Sequence, residues 1–141
     1  MDKNKYGKYI IRKPKLVKLA HHAKGEVRGF TYPYQVYMGS ELVAGSPVFI
    51  DIGWRTEIPH PNPVTELHSH PFDEVLLYIG SDPHHPQDLG GEVEIQLDDE
   101  KHRFDTTTSI FIPKGVAHSI KYLRVDRPIL NIGVSLKGEY T

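Results

Sequence analysis

Six residues in two separated stretches combine types and spacings that suit a metal ion. His68, His70 and Glu74 stand as H-x-H-x3-E, and Pro113, Gly115 and His118 stand as P-x-G-x2-H. Three imidazoles and one carboxylate suit one divalent transition metal such as iron, manganese, nickel or zinc. On a six-coordinate ion, four protein ligands leave two positions for a substrate, or for substrate plus dioxygen. One carboxylate leaves the ion with net positive charge, which stabilises an anionic substrate oxygen. Glu74 is also a candidate base, a second role open to a carboxylate. The alternative is a closed structural zinc site, but such sites favour cysteine and the chain has none.

Histidine is common here, 9 of 141 residues. An H-x-H pair alone is therefore expected about 0.6 times by chance, which makes it weak as a motif. The Glu74 spacing lowers the expectation to about 0.04, and the distant P-x-G-x2-H to about 0.002. The inference rests on Glu74 and on the second stretch.

These residues must be positioned by strands and turns. Alternate side chains of a strand share a face, so a continuous strand would put His68, His70 and Glu74 on one side. Phe72, Leu76 and Tyr78 would share that side and line a pocket, with a bend expected at Pro71. Gly115 is free to take φ > 0, and the Pro113–Gly115 turn would aim His118 back at the first three groups. Period-two alternation runs through 48–54 and 93–97, and further strands are expected at 74–79, 109–112, 117–122 and 129–135. Asp98-Asp99-Glu100 reads as a turn, and 81–91 as a polar loop. Eleven prolines and twelve glycines punctuate the runs, as a compact all-β fold requires. Leu16, Leu19, Ala20 and Ala23 have the spacing of one face of a short helix.

On these two motifs the chain resembles the cupin superfamily. His68, His70 and Glu74 match the ligands of its first motif, with Gly80 within a residue of the closing glycine. Pro113, Gly115 and His118 match its second. Three positions depart. Asn62 stands for the opening glycine of the first motif, and asparagine tolerates the same left-handed backbone. Thr107 stands for the opening glycine of the second motif and Tyr122 for its final asparagine. The resemblance covers about 25–135. It implies a double-stranded β-helix, or jelly roll: an extended N-terminal arm over 1–24 and a single cupin barrel over 25–141. It also implies pairing as a homodimer.

Composition fits that reading. The chain is long enough for one domain with a core, and 38% hydrophobic with 25% charged residues is globular. A net charge of -1 gives no electrostatic case for nucleic acid or membrane. The N-terminus lacks the apolar run of a signal peptide, so a cytoplasmic protein is expected. Seven basic residues fall between Met1 and Lys18; with Ile10, Ile11, Leu16 and Val17 interleaved, they read as a solvated, packing segment.

Other residues carry weaker signals. His84 and His85 sit in a proline-rich loop and read as surface groups or a lid. His60, His21, His22 and His102 have no partner at ligand spacing. Tyr32, Tyr34 and Tyr37, with Phe30 and Met38, form an aromatic cluster suited to core, interface or a pocket wall. Arg55 would clamp a substrate carboxylate if it met the pocket, and Asn131 is a candidate for the barrel interior. The expected function is a metal-dependent enzyme on a small oxygen-rich molecule, such as a dioxygenase, isomerase, lyase or decarboxylase. A non-catalytic small-molecule binding or sensing module is the alternative, since fold alone does not separate the two.

Overall fold

The computed structural model describes residues 5–18 and 27–140. Two antiparallel sheets face each other. The larger has seven strands, in the order β1(Lys15–Val17), β3(Tyr34–Met38), β4(Phe49–His60), β10(Ile129–Ser135), β5(Glu74–Gly80) and β8(Thr108–Ile112), with β2(Arg28–Phe30) also pairing β4. The smaller runs β7(Glu100–Thr106), β6(Asp88–Leu97) and β9(His118–Val125). This is the all-β jelly roll expected. A short 3-10 turn at Gly7–Tyr9 precedes the sheets.

The expected strands appear with small shifts at their ends; β4 runs six residues further and β6 starts at Asp88, shortening the loop before it. The strand β7 had no sequence signal. Six of its seven residues are exposed, so neither face carries an apolar row. Leu16 lies in β1, paired with Gln35, rather than on a helix. The other members of that suggested face, Leu19, Ala20 and Ala23, lie outside the described residues, as do His21, His22 and the expected boundary at 24.

One row of each central strand faces the barrel interior. On β4 that row is Phe49, Asp51, Gly53 and Arg55, all buried. On β10 it is Ile129, Asn131, Gly133 and Ser135. Two apolar clusters flank the interior: Phe30, Tyr34, Val36, Phe49 and Val64 at one side, and Tyr78, Leu89, Val93, Tyr122 and Ile129 at the other. The opposite row is apolar too. Ile52–Ile132–Leu77 and Trp54–Leu130–Ile79 stand in register across β4, β10 and β5, and none of the six is buried.

Candidate metal centre

The three histidines come from two chain segments that pair through their backbones. The segment 68–73 is not a continuous strand, a difference from the expectation; His68 makes only an isolated bridge. Its amide donates to the His118 carbonyl at 3.2 Å, and the His118 amide returns a bond at 2.8 Å. The second motif is tied to the same segment. The Gly115 amide donates to the His70 carbonyl, and the Lys114 amide to Asp73 Oδ1. Gly115 has φ +83°, and a Cβ there would meet nothing within 4 Å, so glycine is required by conformation and not by space. Asp98, itself at φ 52°, closes the β6–β7 turn and exchanges bonds with the Ala117 backbone, fixing the start of β9.

The departures from the cupin pattern also have structural roles. Asn62 does not adopt a left-handed backbone. Its side chain instead pairs with the Tyr122 backbone, donating to the carbonyl at 2.7 Å and accepting from the amide at 3.0 Å. Two positions where motif residues are replaced are thus bonded to each other. Thr107 Oγ1 accepts from the Gly80 amide and donates to the Pro86 carbonyl, joining the end of β5 to the following loop.

One ligand atom from each of His68, His70 and His118 lies within 4.8 Å of the others. His68 Nδ1 contacts the Glu66 carbonyl at 2.6 Å, and His118 Nδ1 the Val116 carbonyl at 3.0 Å. A carbonyl only accepts, so both Nδ1 atoms carry the proton and each neutral ring keeps its lone pair on Nε2. Metal-binding histidines are oriented by such bonds. His68 Nε2 and His70 Nε2 are 3.1 Å apart. Two nitrogens bound about 2.1 Å from a common ion at a right angle would be about 3.0 Å apart. The donor set therefore fits a divalent ion.

Glu74, the first residue of β5 and 5% exposed, stands beside this cluster. Its Oε1 is 3.3 Å from His118 Nε2 and its Oε2 is 4.0 Å from His70 Nε2. Ser135 Oγ donates to Oε2 at 3.5 Å. Burial works against charge on His118, but the Glu74 carboxylate and the Val116 carbonyl outweigh it and hold its pKa above the usual imidazole value. Phe72 is buried and stacks on the His70 ring, at 4.7 Å between centroids and 6° between planes. It braces His70 from behind and is not part of the cavity wall.

The cavity has a volume of about 70 Å³ and is lined by His68, Glu74 and His118 at one side and by Leu76, Tyr78 and further groups beyond. Tyr34, Arg55 and Asn131, whose sequence signals are weak, all line it. Arg55 lies within β4. Asp51 and Tyr140 had no sequence signal. Asp51 occupies the inward row of β4, and Gly133 makes room for it, since a Cβ there would lie 3.0 Å from Oδ2. The Tyr140 hydroxyl, near the chain end, stands 3.0 Å from His70 Nε2 and 3.3 Å from His68 Nε2. Burial above all raises the pKa values of Tyr34, Tyr78 and Tyr122, so these hydroxyls stay protonated at neutral pH. His84, His85, His60 and His102 are exposed, away from the cavity, with His85 bound to Asp82 and His102 to Glu100.

Solved structures of cupin barrels superpose on this chain, which shares their fold. One from Thermotoga maritima, described as a predicted oxalate decarboxylase, superposes with a TM-score of 0.59 at 15% identity, over 91% of this chain and 98% of its own. A cupin-2 domain from Rhodospirillum rubrum gives a TM-score of 0.55 at 13% identity, over 92% and 79%. HppE with cobalt(II), in complex with Tris buffer, gives 0.51 at 14% identity, over 75% of this chain and 52% of its own. These likenesses show the fold. No family model and no curated protein sequence matches the chain. Among the described residues, no helix is long and apolar enough to cross a membrane.

Proposed function

We propose that the protein is a metal-dependent enzyme of cupin fold. His68, His70, Glu74 and His118 hold one divalent transition metal, and the substrate is a small oxygen-rich molecule of carboxylate, enol or sugar-like character. The observation that carries this reading is the convergence of three imidazoles within 4.8 Å beside a buried carboxylate, at the wall of an internal cavity. When bound, the ion supplies Lewis-acid stabilisation of a substrate oxygen.

The chain's own residues do the rest. The carbonyls of Glu66 and Val116 hold the His68 and His118 rings in the tautomer that presents Nε2. Phe72 fixes the plane of His70. Glu74, with Ser135 donating to it, is positioned both to bind the ion and to accept a proton from a substrate carbon or hydroxyl. The buried tyrosines keep the cavity short of bulk water, which strengthens electrostatic interactions inside it.

The same reading includes a homodimer. The unburied apolar rows on the outer face of the large sheet favour cover by a second copy, because contiguous apolar surface on a monomer is costly.

The test is metal analysis of protein purified without chelator, followed by anaerobic loading with iron, manganese, nickel or zinc. About one ion per chain is expected, and substrate screening with oxygen uptake then separates oxygenase from oxygen-independent chemistry. Negligible metal after loading would overturn the proposal. Metal and ligand binding without turnover on any oxygen-rich substrate would favour a sensing module.

A further inference from the structure

The cavity holds one group that metal chemistry alone does not require. Arg55 is 4% exposed and brings a guanidinium into the barrel interior. Its Nη2 donates to Asn131 Oδ1 at 3.3 Å. Among the described residues, Nε and Nη1 are buried with no acceptor, and Asp51, whose carboxyl the guanidinium charge acts on, makes no ion pair with it. The buried Tyr122 hydroxyl lies beside the guanidinium and beside Tyr78. Burying an unpaired charge is among the most expensive things a fold does.

The surroundings hold the guanidinium in place. Its face is packed against Phe30, with Cζ 3.3 Å from the ring centroid, and Tyr122 lies 5.2 Å away on the same measure. Gly53, one inward position back along β4, leaves the space the side chain folds across: a Cβ there would meet Nη1 at 3.1 Å. With its face covered, only the N–H edge remains for a ligand, and that edge matches the planar oxygens of a carboxylate.

We infer that Arg55, with the Tyr122 hydroxyl beside it, is an anion subsite that binds a carboxylate of the substrate at the end of the cavity away from the histidines. The inference rests on the metal reading above only for what lies at the other end. Register sets the separation. Glu74 is level with Ser135 and Phe49, and the guanidinium folds back to the level of Gly53. Four residues of strand, about 13 Å, divide the two levels. Backbone levels that far apart favour a substrate with two separate polar groups. The substrate class is therefore an oxoacid or hydroxyacid whose metal-binding oxygens and carboxylate sit on different carbons.

The experiment is calorimetric titration of succinate, 2-oxoglutarate and inorganic phosphate into the full-length protein, metal-free and metal-loaded. Wild type, Arg55→Gln, Arg55→Lys and Asn131→Asp are compared. Asn131→Asp places a carboxylate on the guanidinium and keeps the fold if Arg55→Gln fails to fold. A carboxylate probe should bind wild type, and Arg55→Gln and Asn131→Asp should each weaken it by about 30-fold or more. Arg55→Lys should bind it with intermediate affinity, and metal content should stay the same in all four. Equal carboxylate affinity in wild type and both variants, or no carboxylate binding to wild type, overturns the subsite while leaving the metal reading standing. Arg55-dependent binding to protein that takes up no metal keeps the subsite and overturns the metal reading. Phosphate binding in preference to both carboxylates overturns the assigned substrate class.

Discussion

Replacing Asp51 with asparagine should change how stability depends on pH. Asp51 is 7% exposed. Burial first, and then the negative charge of Glu74, push its pKa up to about 7, with Arg55 opposing. In the unfolded chain an aspartate titrates near 3.9. Between those values the folded protein keeps a proton that the unfolded chain has lost. The unfolding free energy therefore falls as pH rises, by about 1.4 kcal/mol per unit. From pH 5 to pH 8 the active window is about two units, so the Asp51 contribution is about 3 kcal/mol. Asparagine has no such proton. The assay is urea denaturation of chelator-treated protein at pH 5 and pH 8. The advantage of Asp51→Asn over wild type should grow by about 3 kcal/mol between the two. A difference that stays constant across that range would refute the reasoning, because it would mean that Asp51 ionises as readily in the barrel as in water.

Three further outcomes follow from packing and contacts. Gly80→Ala would drive a Cβ into the Asp88 carbonyl and should cost about 1–3 kcal/mol in denaturant melts; a neutral substitution would show that β5 and β6 separate easily. Tyr140→Phe removes a hydroxyl that competes for the His68 and His70 lone pairs. It should tighten divalent metal binding about fivefold in chelator competition, equivalent to roughly 1 kcal/mol for one hydrogen bond, and weaker binding would mean the hydroxyl supports the ion instead. Ile132→Glu, at the centre of the outer apolar rows, should convert a dimer to a folded monomer by light scattering. A wild-type monomer would remove the interface.

The site's two motifs were legible because their residue types are uncommon at those spacings. The route to the geometry was less so. A straight strand through His68, His70 and Glu74 was the simplest reading, whereas the backbone brings His68 and His70 in from a loop pinned to β9. Sequence alternation in β4 was plain, but the chain hides which row faces inward. The inward row holds Asp51, Gly53 and Arg55, because the interior is a polar cavity there and not a dry core. A hydrophobic reading alone would favour Ile50, Ile52 and Trp54. Tyr140 was invisible because no local pattern links it to residues about 70 positions earlier. The replaced positions Asn62 and Tyr122 looked like independent departures and are one contact.

The most direct test of the central claim is X-ray absorption at the metal edge of protein loaded with one equivalent of manganese or cobalt. The expected spectrum has a first shell of nitrogen and oxygen near 2.1 Å with the multiple scattering of three imidazoles, falling to two in His118→Ala. A shell with no imidazole scattering, or one unchanged by His118→Ala, would contradict the account.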